Sequence, residues 1–322
     1  MAREFRPPAA PRAADLTSGS RTSSNRKGSG RQLGEQGFGS ILIAPAMLAI
    51  VGLLFYPMIY AFWMSLNNID FGTGKFSFVG LQNYINLFLD PRIIKSFKAT
   101  IVFSVGVTVM TLVLSLLLAL LLNQNFKGRG LCRALLLIPW AVAPIANGLM
   151  WKWMFNPRLG LINNLLISMG ALGHFENWLM KPGPAMIAVI VTMVYKTLPF
   201  ITLLFLAALQ SIPAGLYEAA YIDGAGVFER FWRITLPLLR PSMVIIMVVL
   251  SVNTLKAFDM IYVLTEGGPA DATMVANYMA YAQSFKLLRF GYGAALAFVI
   301  SIVILLMNLG YFKFLYRGVS YE

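Results

Sequence analysis

Residues 100–122 read TIVFSVGVTVMTLVLSLLLALLL, an uncharged run bounded by Lys98 and Lys127. A helix needs about 20 consecutive apolar residues to span the hydrocarbon core of a bilayer. This run is long enough, and it has no polar face that could contact water. It therefore predicts a membrane-spanning helix, and the rest of the chain can be compared with it.

The composition of the whole chain agrees with a membrane protein. Of its 322 residues, 58% are hydrophobic and only 12% are charged, and the mean hydropathy is +0.70. Soluble domains carry about 25% charged residues, so a water-soluble fold of this size could not cover its surface. Cys132 and His174 are the only residues of their types. A disulfide scaffold, a His/Cys zinc site and a His-based triad are thereby excluded.

Six segments are long and apolar enough to be spans, and no segment of about 10 residues alternates as a membrane β-strand would. Prolines fall inside several of them, which membrane helices tolerate. The sequence predicts an all-α integral membrane protein with six transmembrane helices. The predicted spans are Ser40–Met64, Thr100–Leu122, Ala134–Trp151, Ala185–Ala208, Met243–Leu264 and Ala294–Phe312.

The polar segments between the spans predict the orientation. Residues 1–38 form a basic leader rich in Arg, Ser, Pro and Gly, which we expect to be disordered, and residues 39–318 form the membrane domain. With the N-terminus inside, the inner segments hold 15 basic residues and the outer loops hold nine. The positive-inside rule then predicts cytoplasmic termini, and it explains the net charge of +13 better than nucleic-acid binding does.

The loop at residues 211–241 is patterned unlike a linker. Pro213 suits the first turn of a helix and Gly224 its C-terminal stop. A second short helix follows, and we expect its apolar side chains to hold the loop to the bundle and its charged ones to face water. The apolar face comprises Val227, Phe228, Phe231 and Ile234, and the charged face Glu229, Arg230 and Arg233. The pattern predicts a helix–turn–helix at the membrane surface.

This loop resembles the cytoplasmic Glu-Ala-Ala…Gly signature of bacterial ABC-importer permeases, most closely the sugar-importing, maltose-type group. The matching residues are Glu218, Ala219, Ala220, Asp223, Gly224, Ala225, Phe231, Ile234, Leu236, Pro237 and Pro241. Residues 78–84, 195–200 and 264–269 resemble three other stretches of those permeases. The resemblance covers roughly residues 40–318.

The resemblance implies a type I importer permease fold in the bacterial cytoplasmic membrane. It implies that the loop is a coupling helix that docks on an ATPase subunit. The residues in that role would be Glu218, Ala219, Ala220, Asp223, Gly224, Ala225 and Phe231. The implied partners are a second, similar permease, two ATPase subunits and an outer solute-binding protein. The implied cargo is a sugar or oligosaccharide. An amphipathic helix that only rests on lipid is the alternative for this loop.

Polar residues inside the later spans are candidates for the substrate pathway, because intramembrane charges are costly and face a bundle interior or a cavity. Lys256 and Asp259 are three residues apart, so on one helix they would share a face and could pair. They could equally line a sugar pathway together with Asn253. Lys196 could bond freed backbone carbonyls beside Pro199, or a carboxylate, and we expect its role to be structural. Trp140, Asn147, Trp151 and Trp153 have no predicted binding role.

No ATP-binding motif occurs, since residues 224–226 and 72–75 lack the remaining glycine and Walker positions. We therefore predict no enzyme activity, no metal site and no cofactor in this chain, with ATP and Mg²⁺ bound by partner subunits. Three alternatives stay open. They are an ABC permease for glycerol phosphate or a phosphodiester, an ion-coupled secondary transporter, which would need coupling acids and inverted repeats, and an integral membrane enzyme.

Overall fold

The computed structural model describes residues 35–70 and 74–315 of the chain. The chain divides into two compact units, residues 1–55 and 56–322. The described part of the first unit is helix α1 (Glu35–Ile50) followed by a π-helical turn (Val51–Phe55). Most of the predicted leader, residues 1–34, lies outside the described residues.

The second unit is helical except for one antiparallel hairpin, in which β1 (Asn67–Asp70) pairs with β2 (Lys75–Phe78). Short 3₁₀ and π-helical turns occupy Trp178–Met180, Phe231–Thr235 and Ala282–Lys286. The helices are α2 (Tyr56–Ser65), α3 (Gln82–Leu89), α4 (Pro91–Asn123), α5 (Arg129–Leu136), α6 (Ile138–Ala141), α7 (Pro144–Met154), α8 (Leu161–Ser168), α9 (Pro182–Gln210), α10 (Ala214–Ile222), α11 (Val227–Arg230), α12 (Leu236–Leu255), α13 (Asp259–Leu264), α14 (Ala276–Tyr281) and α15 (Phe290–Leu315).

Five helical segments of the described chain are long and apolar enough to cross a membrane. A sixth crossing results if the bent pair Arg129–Ala141 and Pro144–Met154 is one span. The prediction of an all-α membrane protein with six spans is confirmed on that count. The five are Leu42–Ser65, Pro91–Asn123, Pro182–Gln210, Val227–Leu264 and Phe290–Lys313.

The third span is not the straight helix predicted over Ala134–Trp151. Its two halves meet at an angle of 93°. Val142 and Ala143 have extended backbones with ψ of 135° and 140°. A residue that precedes proline avoids the α region because of the proline ring, and Pro144 imposes that restriction on Ala143. The bend is therefore determined by the local sequence, and the prediction of a continuous helix is wrong.

The fifth span is also interrupted. Helix α12 ends at Leu255 and α13 begins at Asp259, and Phe258 between them has φ −136° and ψ −54°. Lys256 and Asp259 consequently belong to different segments. The prediction that one continuous helix face carries both residues is wrong.

The core lies where α4 and α9 cross. A Cβ at Gly106 of α4 would come within 2.7 Å of Cδ1 of Ile190 in α9, so any larger residue would have to displace the end of that side chain. Phe103, Val189 and Ile261 are fully buried and extend the same core from α4 and α9 to α13. Small residues at such crossings let membrane helices pack by van der Waals contact. This crossing supports both interrupted spans.

Candidate functional site

The loop at 211–241 forms the predicted helix–turn–helix. Helix α10 ends in a Schellman motif, in which Ala225 N–H donates to Ala220 O (2.9 Å) and Gly224 N–H donates to Tyr221 O (3.1 Å). Gly224 has φ +81°, the left-handed value that this motif requires and that glycine adopts without steric cost. The predicted helix stop at Gly224 is confirmed.

The residues of the Glu-Ala-Ala…Gly signature form one outward surface. Glu218, Ala219, Asp223 and Gly224 are exposed, and Ala220 and Ala225 are half-buried. Neither the Glu218 nor the Asp223 carboxylate has a hydrogen bond or ion pair within the part of the chain that the structure describes. The surface thus presents free acceptors beside small side chains, as docking of another backbone would require.

The apolar side of the loop differs from the prediction. Val227 is 77% exposed and Phe228 is 76% exposed, so these two do not hold the loop to its own bundle. Phe231 and Ile234 are half-buried. The prediction of one apolar face packed against the bundle is therefore wrong for its first turn, whose side chains remain largely exposed beside α4.

Polar contacts fix the loop instead. Tyr217 OH lies 3.0 Å from Oγ1 of buried Thr235, which ties α10 to the start of α12. Arg233 pairs with Glu229 at 2.9 Å, and the Arg230 guanidinium lies 5.7 Å from the centre of the Tyr221 ring. These contacts make the helix–turn–helix a rigid unit that leads directly into the fifth span.

A second candidate region lies inside the membrane-spanning part. A cavity of about 250 Å³ separates the bend of the third span from the break in the fifth. Its walls include all four predicted pathway residues, which the chain brings together from two spans: Lys196, Asn253, Lys256 and Asp259. The structure thus assembles the predicted set, although their role in transport stays a prediction.

The Lys196 ammonium is already bound. Its Nζ donates to the carbonyl of Val142 at 2.6 Å and lies 3.4 Å from the carbonyl of Trp140. Both carbonyls belong to the bend of the third span rather than to the turn before Pro199. The expectation that Lys196 has a structural role on backbone carbonyls agrees with these contacts.

The other three polar side chains remain available. Among the residues that the structure describes, Lys256 and Asp259 form no ion pair and Asn253 makes no side-chain hydrogen bond. Lys256 and Asn253 are exposed, and Asp259 is half-buried. An amide, an ammonium and a carboxylate thus face the cavity with no hydrogen bond to a described residue, which suits a ligand that both donates and accepts hydrogen bonds.

Sequence reasoning missed the aromatic walls of this cavity. Trp140 stacks on Phe200 with ring centres 5.4 Å apart and planes at 12°, and Phe258 also lines the cavity. Trp140, for which no binding role was predicted, is therefore a cavity residue. No local pattern in the sequence indicates this, because the stacking depends on how α6 packs against α9.

Asn147 is fully buried, and its Nδ2 points to Sδ of Met260 at 3.8 Å. This contact between α7 and α13 agrees with the expectation that Asn147 packs helices together. The described residues include no group of three His, Cys, Asp or Glu side chains that could hold a metal ion.

The profile of the family described as "binding-protein-dependent transport system inner membrane component" matches residues 111–317. The trehalose/maltose transport system permease protein MalF of Thermococcus litoralis is 39% identical over 280 residues, covering 87% of this chain and 94% of the relative. The sn-glycerol-3-phosphate transport system permease protein UgpA of Yersinia pestis is 38% identical over 285 residues, covering 88% and 95%.

The fold also matches a chain in the crystal structure of a bacterial ABC transporter involved in import of the acidic polysaccharide alginate. The TM-score is 0.77 at 22% sequence identity, covering 89% of this chain and 98% of that one. Sequence and fold agree over nearly the whole membrane domain. The chain is a multi-pass membrane protein that belongs to the family of binding-protein-dependent transport system inner membrane components.

Proposed function

We propose that this chain is one permease subunit of an ATP-driven importer that moves a sugar or oligosaccharide across the cytoplasmic membrane. The observation that carries the proposal is the intramembrane cavity, where Asn253, Lys256 and Asp259 face open space between aromatic walls. Hydroxyl groups of a sugar both donate and accept, so they match this mixed set, and the apolar face of a sugar ring matches Trp140 and Phe200.

A second permease completes the pathway. Lys256 and Asn253 are exposed although they lie in the fifth span. Charged and amide groups at that depth face a water-filled cavity or another protein chain rather than lipid. A related permease packed against this side would enclose the cavity, and the exposed walls would become the lining of a shared channel.

Loop 211–241 couples the pathway to ATP hydrolysis. It has the exposed signature residues Glu218 and Asp223, free apolar side chains at Val227 and Phe228, and a rigid connection through Thr235 into the fifth span. Docked on an ATPase subunit, the loop transmits closure of the ATPase pair to the broken helix of the cavity. ATP and Mg²⁺ are then bound by the partner, and both termini of this chain lie in the cytoplasm.

Glycerol phosphate is the second candidate, because the UgpA relatives transport it and two lysines line the cavity. The contacts favour the uncharged solute. The Lys196 ammonium already donates to the Val142 carbonyl, and the Asp259 carboxylate in the same cavity would repel a phosphate dianion.

A secondary transporter remains the alternative from another class, and its broken helices occur here too. The family membership and the single intramembrane acid, Asp259, speak for an ABC permease instead. The soluble-protein partner proposed for the outer side is a solute-binding protein, in keeping with the family's description.

The test is to purify the chain with its accompanying subunits in lipid nanodiscs and to measure ATP hydrolysis. We expect trehalose or maltose, presented with the solute-binding protein, to stimulate hydrolysis, and sn-glycerol-3-phosphate to do so much less. Stimulation by the phosphate alone would replace the sugar assignment with the second candidate. Solute uptake driven by an ion gradient without ATP would contradict both.

A further inference from the structure

The bend in the third span leaves backbone carbonyls without helical partners, including those of Trp140 and Val142. In a continuous helix the N–H of residue 144 would bond to Trp140 O, but Pro144 has no N–H. The Val142 carbonyl would bond to Ala146, but Val142 is extended and the chain turns by 93° after it. Unsatisfied backbone groups inside a bilayer are costly, so these two carbonyls need another hydrogen-bond donor.

Lys196 supplies the missing donor. Its Nζ reaches Val142 O at 2.6 Å and Trp140 O at 3.4 Å from helix α9. A cation at the C-terminal end of a helix also interacts favourably with the helix dipole. Phe200, one turn after Lys196, stacks on Trp140. Helix α6 is therefore fixed to α9 at two points.

The other half of the third span is fixed to a different partner. A Cβ at Gly148 of α7 would lie only 3.1 Å from the Val263 side chain of α13. Lys152 Nζ donates to Val263 O at 3.0 Å. Helix α7 is thus held against α13 and α6 against α9, and the bend lies between these two sets of contacts.

We propose that Lys196 is a positioning residue that holds this bend and thereby shapes the cavity, and that Lys256 is the cavity cation left for the solute. The proposal deepens the proposed function, on which its transport readouts rest. The proposal assigns different roles to two lysines of one cavity, because their ammonium groups have different contacts. Lys196 acts on the solute only through the third span.

The test uses the full chain with its subunits in nanodiscs and measures the distance between two spin labels across the bend. In a Cys132→Ser background, Leu135→Cys and Leu149→Cys place labels on exposed positions of α5 and α7. We expect Lys196→Met to broaden or shift the distance distribution and Lys196→Arg, which keeps charge and donors, to restore it. Lys256→Met removes an ammonium from the same cavity and is expected to leave the distances unchanged.

Uptake kinetics give an independent readout. We expect Lys196→Met to lower kcat about tenfold, the factor of one hydrogen bond to a charged group, with much less change in KM. Lys256→Met should instead raise KM. If Lys196→Met does not accumulate in the membrane, Lys196→Gln, which is neutral and shorter, should broaden the distances in the same way.

Unchanged distances in every Lys196 variant would overturn the proposal, as would an equal shift caused by Lys256→Met. The distance measurement needs no solute. A distance shift in a transporter that ignores all sugars would therefore refute the proposed function and leave the role of Lys196 standing.

Discussion

The intramembrane cavity and loop 211–241 expose opposite kinds of groups to opposite surroundings. In the cavity, polar side chains such as Lys256 and Asp259 lie unpaired within apolar spans. On the loop, apolar side chains such as Val227 and Phe228 lie uncovered beside charged ones. Each region thus exposes groups that are unfavourable in its environment: polar groups within the membrane and apolar groups at the membrane surface. Under the proposed function, we therefore expect polar groups to complete the cavity and an apolar surface to cover the loop.

The largest effect is expected from a substitution that tests whether loop 211–241 needs a partner. We expect Gly224→Val to reduce solute uptake to background while the chain still inserts in the membrane. Gly224 has φ +81°, where a β-branched residue is strained by about 1–2 kcal/mol. An added Cβ would have no described residue within 4 Å, so the side chain would project from the surface that we propose for docking. Uptake and ATPase co-purification measure the outcome.

Gly226→Val is the matched control for this substitution. Gly226 also has open space around it, but its φ is −67°, which valine adopts readily. It should retain more coupling than Gly224→Val. Normal uptake together with normal ATPase retention in Gly224→Val would favour the alternative that the loop only rests on lipid.

A second substitution tests whether the exposed apolar side chains of loop 211–241 contact a partner. Phe228→Ser should weaken retention of the ATPase subunit about tenfold, as expected for one aromatic side chain buried at an interface. The thermal stability of the chain should change little, because Phe228 is 76% exposed. Leu159→Ser, at a similarly exposed residue of another loop, should leave retention unchanged. Equal loss in both variants would point to general insolubility.

The polar side is tested by neutralising the two free charges of the cavity. Lys256→Met and Asp259→Asn should each raise the KM for uptake about fivefold, the factor of an average hydrogen bond. Because the structure shows no ion pair between them, the double variant should show roughly the product of the two effects. A double variant no worse than either single one would indicate that they pair during transport.

The smallest effect is expected where charges already satisfy each other. Glu176 Oε1 lies 2.8 Å from Lys181 Nζ, outside both regions, and the hydrogen bond from Lys181 lowers the pKa of the Glu176 carboxyl below its ordinary value of 4.5. A depressed pKa stabilises the folded chain above the unfolded value, and that contribution is lost as pH falls through the folded one.

Thermal melting of the purified chain between pH 5 and pH 3 measures this contribution. Wild type should lose slightly more stability on acidification than Glu176→Gln, which has no carboxyl to protonate. Parallel melting curves for the two proteins would show that the pair contributes nothing. Neither loop 211–241 nor the cavity should respond to this substitution.

The sequence predicted the two regions unequally well. Loop 211–241 could be predicted in detail because its features are local: Pro213 opens a helix, Gly224 closes it, and a Schellman motif spans only a few residues. The prediction was wrong for Val227 and Phe228 because an apolar helix face does not indicate whether it packs against the same chain or against another one.

The cavity could be predicted only as a set of residues. Hydropathy located the spans that hold Lys196 and Asp259, but their convergence depends on how α9, α12 and α13 pack. The bend at Pro144 had a local signal, whereas the break after Leu255 contains neither proline nor glycine. That break is set by tertiary packing, which a single sequence does not express.

The bend of the third span also governs the order in which the chain can be built. Helix α5 has eight residues, α6 four and α7 11, and each is shorter than the about 20 needed to cross a bilayer alone. The carbonyls between them are satisfied by Lys196, which is synthesised some fifty residues later. We therefore expect the third span to become stable in the membrane only when the fourth span lies beside it.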